Sequence, residues 1–312
     1  MTKENQFVRQ AGSVTGALSG LLLALAVLST SGCAWLDTQQ RQILYRPTVG
    51  VPSDFGGLRT GDERYFLKLP PTVANSLIEV QTSGIARDTA PHVEIWWLPN
   101  PSQNAPTLLY LHGTFRTLYD NLHKIEALRE AGFSVLAVDY RGWGRSTPII
   151  PSEQSIIQDA NLAWTELQRR EPRAARRVIY GHSMGSGVAV DLASRLRTNT
   201  DYGALILESA FTSFPDVARE AGFLASVLVK FNDERFDSLE KISRVHAPLL
   251  MIHGSADTTI PLRLGQQLFA VANPPKRWLT IEGGHHSDLD QVDHTVYQVA
   301  LQRFITDFLA GQ

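Results

Sequence analysis

An α/β fold with a mostly parallel central sheet and helices on both faces is predicted by three features of the sequence. Short apolar, β-branched runs alternate with longer amphipathic stretches from about residue 90 onward, as βαβ units require. Each run closes on a polar or glycine-rich cluster, and parallel sheets bind ligands beyond the carboxyl ends of their strands. One run, 178–180, leads into Gly181-His182-Ser183-Met184-Gly185 and then into small apolar residues at helical spacing. That is a strand, a tight turn and a helix around G-x-S-x-G. The 312 residues are 43% hydrophobic, enough to bury a large core. A net charge of −2 argues against nucleic acid as the main partner.

Taken in order, the chain opens with Lys3 and Arg9 before an apolar run at 14–28, followed by Ser29-Thr30-Ser31-Gly32-Cys33. Charged, apolar and small residues in that order describe a secretory signal over 1–32. The run is shorter than the ~20 residues of a spanning helix. Residues 33–60, with Pro47, Pro52 and Gly56-Gly57, read as a tether of little regular structure. The domain is expected over 61–312. Edge strands are predicted at 63–69 and 76–82, and a firmer strand at 93–98. The continuous apolar run 107–111 predicts a central strand. A helix over 120–131 stops at Gly132, a buried strand spans 133–138, and an amphipathic helix spans 153–170. After the serine turn come a strand at 204–207 and a small cap insertion at about 211–240. Strands at 248–252 and 278–281 enclose a helix at 262–271, and a final helix covers 291–309. Arg169, Arg170, Arg173, Arg176 and Arg177 crowd around Pro172 and read as a solvated loop. Phe214, Phe223, Leu224, Val227, Leu228 and Phe231 either line an acyl groove or form the cap's own core. Asp139, Arg141 and Ser146 read as a loop-shaping network.

The serine turn carries the chemistry. Its sharpness leaves no room for side chains two residues before or after the serine, hence the two glycines. A serine hydroxyl needs a base to take its proton. Of nine histidines, seven open strands, lie on helices or linkers, precede glycine at a strand end or adjoin the serine. His285 and His286 remain, in a Gly-Gly loop after the last strand. A carboxylate must hold the imidazole tautomer. Asp257 and Glu208 both lie at strand ends and both satisfy the order serine, acid, histidine. The oxyanion would be held by the N–H groups of Met184 and Thr114, and losing one such donor costs about 2.7–4 kcal/mol. Asp288, Asp290 and Asp293, near His286 and His294, read as charges complementing a helix N-terminus rather than as metal ligands. The single cysteine excludes a disulfide framework and a Cys-based zinc site.

Six stretches together resemble a known family over most of residues 90–310. They are Tyr110-Leu111-His112-Gly113, Asp139-Tyr140-Arg141-Gly142-Trp143-Gly144-Arg145-Ser146, Gly181 through Gly185, Leu207 through Ser213, His253 through Pro261, and Glu282 through Asp288. The chain resembles the α/β-hydrolase serine hydrolases that include membrane-associated acyl-protein thioesterases and lysophospholipases. The resemblance implies an α/β-hydrolase fold with a small cap, a cofactor-free Ser-His-Asp triad and an acyl-enzyme. It implies carboxylic esters or thioesters of small-molecule or lipid acyl type as substrates. It assigns the acid to Asp257. Aligning Ser287-Asp288 makes His286 the base; aligning Gly-Gly-His makes it His285. Thr114 stands where the group usually carries asparagine, a change that a backbone donor tolerates. Prolyl-oligopeptidase-type peptidases share this domain and triad, but no propeller-length region is expected upstream. A silent binding scaffold would have no need of the three residues together. The N-terminus resembles a bacterial lipoprotein lipobox, with Thr30 where leucine is usual. That implies a lipidated Cys33, a cell-envelope location and the membrane as partner. Ala34 rather than aspartate after it implies the outer membrane.

Overall fold

The computed structural model describes residues 35–70, 90–222 and 233–310. Among them the strands are β1 (Glu63–Lys68), β2 (His92–Leu98), β3 (Thr107–Leu111), β4 (Ser134–Asp139), β5 (Arg177–His182), β6 (Ala204–Glu208), β7 (Leu249–Gly254) and β8 (Lys276–Ile281). They form one sheet in the order β1-β2-β4-β3-β5-β6-β7-β8. Strand β2 pairs antiparallel with both β1 and β4, and every pairing from β4 to β8 is parallel. The fold is that of an α/β hydrolase.

The helices are α1 (residues 35–45), α2 (Leu122–Glu130), α3 (Glu153–Arg170), α4 (Met184–Ala193), α5 (Phe214–Glu220), α6 (Ser238–Lys241), α7 (Leu262–Val271), α8 (Leu289–Val292) and α9 (His294–Phe308). Strand β3 shows how the two faces are made, because alternate side chains point to opposite sides. Leu109 and Leu111 join a core with Ile156, Ala160 and Leu167 of α3 and Val188 and Leu192 of α4. Leu108 and Tyr110 join a second core with Ile125 and Leu128 of α2 and Tyr297, Leu301 and Phe304 of α9. Burying each such aliphatic side chain contributes about 1.5–3 kcal/mol. Helix α3 begins where Ser152 and Ser155 exchange side-chain-to-backbone hydrogen bonds, a reciprocal cap worth about 1 kcal/mol.

The strand order fixes where a site can form. From β3 the chain crosses to β4 on one side, and β5 then lies on the other. The crevice opened by that reversal lies beyond the carboxyl ends of β3 and β5. Thr114 follows β3 and Ser183 follows β5.

Three readings of the sequence differ from the structure. Residues 35–45, expected to lack regular structure, form α1. Their glutamines, arginine and leucines are good helix formers, and tertiary contacts hold the helix. Tyr45 at its end is fully buried, donates a hydrogen bond to Glu234, and stands edge-on to Trp143 and Phe236. The prolines and glycines that suggested a tether lie beyond it. Second, the final helix breaks in two at Asp293, whose φ of −137° and ψ of 77° are not helical. Its carboxylate caps α9 by accepting from Val296 N–H, an alternative to helical continuation that aspartate offers the backbone. Third, β5 extends through His182. The expected strand at 76–82, the signal segment with Cys33, and Phe223, Leu224, Val227, Leu228 and Phe231 of the cap lie outside the described residues.

Candidate active site

Ser183 sits between β5 and α4 with φ of 56° and ψ of −125°, a backbone region L-residues avoid. A Cβ on Gly181 would overlap the Gly185 carbonyl, and one on Gly185 would overlap that of Leu111. Only glycine lets the turn close this tightly against β3. The strained backbone is anchored by Ser183 N–H donating to the Glu208 carbonyl at 3.0 Å. The hydroxyl emerges at the sheet edge, at the N-terminus of α4.

His286 lies in the loop after β8, where Gly283 takes φ of 72°. Its Nε2 is 2.8 Å from Ser183 Oγ and its Nδ1 is 2.8 Å from Asp257 Oδ2. Asp257 Oδ1 accepts from the N–H groups of Thr259 and Ile260 at 2.9 and 2.8 Å. Burial opposes ionisation of Asp257. Hydrogen bonds from His253, His286 and Ile260 outweigh it and hold the carboxyl well below the usual carboxylate range. A permanently charged, fully hydrogen-bonded carboxylate is what an imidazolium-stabilising partner requires.

The rival residues are occupied elsewhere. Glu208 is fully buried and paired with the Lys124 ammonium of α2, and also accepts from Tyr180 and Tyr297 hydroxyls at 2.6 and 2.9 Å. Lys124 reaches Asp290 at 3.2 Å as well. His285 points outward, its side chain 66% exposed, and pairs with Asp288.

Two contacts that sequence reasoning missed hold the His286 loop. His182 Nε2 donates to the His286 carbonyl at 2.8 Å, and Ser209 Oγ donates to the same oxygen at 3.2 Å. The partner of His182 assigns its tautomer. Burial first, then the charge of the nearby Lys124, push its pKa well below the ordinary value, so the ring is neutral. His253 is the third such residue, 2.9 Å from the Ile260 carbonyl and 3.5 Å from Asp257 Oδ2. It braces the loop that presents the acid.

The N–H groups of Thr114 and Met184 flank Ser183, and neither has a protein acceptor among the described residues. Two cavities meet at the serine. One, of about 280 Å³, is apolar and lined by Leu44, Met184, Phe211, Phe214, Val217 and Ile260. The other, of about 450 Å³, is mixed in character, with Arg116, His123, His285, His286, Asp288 and Gln291 in its lining. Thr114, Phe115, Ser183 and Thr259 belong to both walls. Of the cap residues proposed to line a groove, Phe214 does so.

The remaining candidates have structural partners. His112 is buried, its Nδ1 2.6 Å from the Gly113 carbonyl, and burial pushes its pKa down to about 4. Arg141 is buried against Asp159 at 2.7 Å, and Ser146 Oγ donates to the Asp139 carbonyl. Arg169 and Arg170 pair with Glu166, Arg173 with Glu171, and Arg176 and Arg177 donate to backbone carbonyls. Among the described residues, no cluster of three histidine, cysteine or acidic side chains is arranged to hold a metal ion. No described helix is long and apolar enough to cross a membrane.

Comparison with known proteins gives consistent results. A family profile described as serine aminopeptidase, S33, matches residues 102–240. An uncharacterized protein of Mycobacterium tuberculosis is 31% identical over 290 residues, covering 92% of this chain and 94% of that one. The lysophosphatidylserine lipase ABHD12 of Danio rerio is 32% identical over 213 residues, covering 62% of this chain and 54% of that protein. This chain therefore spans just over half the length of that lipase. Among solved structures, an esterase of Pyrococcus furiosus superposes with a TM-score of 0.61 at 18% identity, over 84% of this chain and 98% of that one.

Proposed function

The chain belongs to the α/β-hydrolase family of serine hydrolases and is a hydrolase, and from that premise we propose that it cleaves acyl esters or thioesters through Ser183, His286 and Asp257. The observation that carries this reading is the unbroken hydrogen-bonded chain from Ser183 Oγ through His286 to Asp257, 2.8 Å at each link. In the proposed reaction His286 Nε2 takes the hydroxyl proton as Ser183 Oγ attacks the acyl carbonyl carbon. Asp257 holds the tautomer with Nδ1 protonated and stabilises the imidazolium. The N–H groups of Thr114 and Met184 hold the oxyanion, each worth about 2.7–4 kcal/mol. The imidazolium then protonates the leaving oxygen or sulfur, and an acyl-Ser183 intermediate remains. Water, deprotonated by His286, resolves it. The apolar cavity suits the acyl chain, and the relative named as a lysophosphatidylserine lipase supports lipid-like acyl substrates.

A fluorophosphonate probe tests the reading: it labels Ser183, and Ser183→Ala abolishes labelling and turnover of p-nitrophenyl esters of graded chain length. Full labelling of the alanine variant sinks it. The description of the matching family profile favours one second reading, an aminopeptidase; turnover of aminoacyl p-nitroanilides above that of esters would select it. For location, the proposal is a lipid anchor at Cys33 on the outer membrane, supported by the charged, apolar and small residues before it. Radiolabelled palmitate that fails to enter the wild-type protein removes that proposal.

A further inference from the structure

His182, the residue before the nucleophile, has one ring nitrogen engaged and the other without a protein partner. It closes β5 and is 3% exposed. Its Nε2–H is committed to the His286 carbonyl at 2.8 Å, so in the neutral ring Nδ1 keeps its lone pair. Burial and the nearby Lys124 ammonium oppose a second proton and keep Nδ1 an acceptor. Among the described residues no group donates to it. The ring lines the larger of the two cavities at Ser183, together with Thr114 and His286. Gly113 locates it there. A Cβ built on that glycine would stand 2.9 Å from Ser183 Cβ and 3.4 Å from His182 Nδ1. Nucleophile and ring nitrogen thus flank the same bare backbone, one residue before the Thr114 N–H. The rings of His182 and His286 lie 5.1 Å apart, centre to centre, close enough for one small molecule to touch both. Two other acceptors of this wall are taken. The Gly113 carbonyl meets His112 Nδ1 at 2.6 Å, and Asp288 accepts from the His285 N–H at 2.7 Å with the His285 ring at 3.1 Å.

We propose that His182 is a catalytic residue of deacylation, its Nδ1 accepting a hydrogen bond from the water that attacks the acyl-Ser183 carbonyl. The assignment rests on Ser183 being the nucleophile and on the acyl-enzyme that follows from it. Once the leaving group departs, water takes its place beside His286, by microscopic reversibility. The water oxygen bonds to the acyl carbon as one of its hydrogens passes to His286 Nε2. Collapse of the tetrahedral adduct breaks the bond to Ser183 Oγ, which takes that proton back, and the carboxylic acid leaves. The second water hydrogen stays on the oxygen and points at His182 Nδ1. That contact orients a nucleophile that would otherwise rotate freely. Acylation uses no water and has no need of Nδ1. The two nitrogens of His182 therefore act separately: Nε2 braces the base in both steps, and Nδ1 serves only the second.

The two nitrogens can be removed one at a time. In His182→Gln the amide nitrogen reaches the position of Nε2 and still donates to the His286 carbonyl, while the acceptor at Nδ1 is lost. In His182→Asn the amide oxygen takes the place of Nδ1, and the brace is lost. With a p-nitrophenyl ester, stopped-flow release of p-nitrophenol gives the acylation rate. Mass spectrometry of quenched samples gives the decay of the acyl-enzyme. His182→Gln slows deacylation about ten-fold, the weight of one hydrogen bond in a transition state. Acyl-enzyme accumulates and kcat falls, while the acylation rate, kcat/KM and the rate of fluorophosphonate labelling stay near wild type. His182→Asn slows both steps together. Equal slowing of acylation and deacylation in His182→Gln would reduce His182 to a brace and overturn the proposal, as would unchanged deacylation. Should His182→Gln not fold, His182→Asn decides: parallel slowing of the two steps supports the proposal, and selective slowing of deacylation overturns it. A wild-type protein neither labelled nor acylated would remove Ser183 as nucleophile, and this proposal with it.

Discussion

The carboxylate of Asp257 stands 2.8 Å from Nδ1 of His286, and this contact separates two acids that the sequence places equivalently. Asp257→Asn removes the charge and favours the wrong imidazole tautomer, so kcat falls on the order of 10⁴-fold, with the fold retained by circular dichroism. Glu208→Gln acts on stability. It strips the buried Lys124 of its main partner and leaves Asp290 alone to face it, costing about 3 kcal/mol. Its signature is a lowered denaturant midpoint with kcat per folded molecule little changed. An active Asp257→Asn protein beside an inactive but stable Glu208→Gln protein would transfer the role.

The adjacent histidines divide in the same way. His286→Ala removes the group 2.8 Å from Ser183 Oγ and lowers kcat on the order of 10³-fold or more. His285→Ala removes an exposed ring paired only with Asp288 and lowers it far less. Steady-state kinetics on one p-nitrophenyl ester decides the matter; reversed losses would move the base to His285.

Stability in acid has a local source away from the site. Burial raises the Glu166 pKa, but hydrogen bonds from Arg169, Tyr65 and Arg170 outweigh it and bring it from 4.5 to about 2. A carboxyl lowered on folding contributes stability that is complete above its unfolded pKa and is lost as pH falls through the folded one. The difference in unfolding free energy between wild type and Glu166→Gln is therefore constant above about pH 5.5 and shrinks between about pH 4.5 and 2. Urea titrations of both proteins at pH 7, 4 and 3 measure it. A constant difference across that window would contradict the assignment.

What could be read from the sequence was local. The turn at Gly181 through Gly185 carries its own steric logic, and strands such as β3 and β7 declare themselves as continuous apolar runs. Choosing between Asp257 and Glu208 needed long-range information, because what occupies Glu208 is Lys124, 84 residues earlier. A trace of it was present: Lys124 and Leu128 are four apart on α2, so the lysine lies on the helix's apolar side. The helix at 35–45 had a signal in its run of helix-forming residues, outweighed in the reading by Pro47, Pro52 and the glycine pair. The hold of His182 and Ser209 on the His286 carbonyl had none. Those three residues meet only because β5, β6 and the loop after β8 end at one edge.

Helix α1 supplies Gln40, Ile43 and Leu44 to the apolar cavity while Tyr45 anchors it in the core. One wall of the pocket is thus made by a segment that precedes the sheet and contributes nothing to the reacting atoms. Chemistry and selectivity are separable in this architecture. Under the proposed function, exchanging residues 40–44 reshapes the cavity assigned to the acyl chain without touching Ser183, His286 or Asp257. A chain cut back to residue 60 would lose Tyr45 from the core and open one side of that cavity to water, so under the proposed reaction any preference for acyl-chain length would flatten.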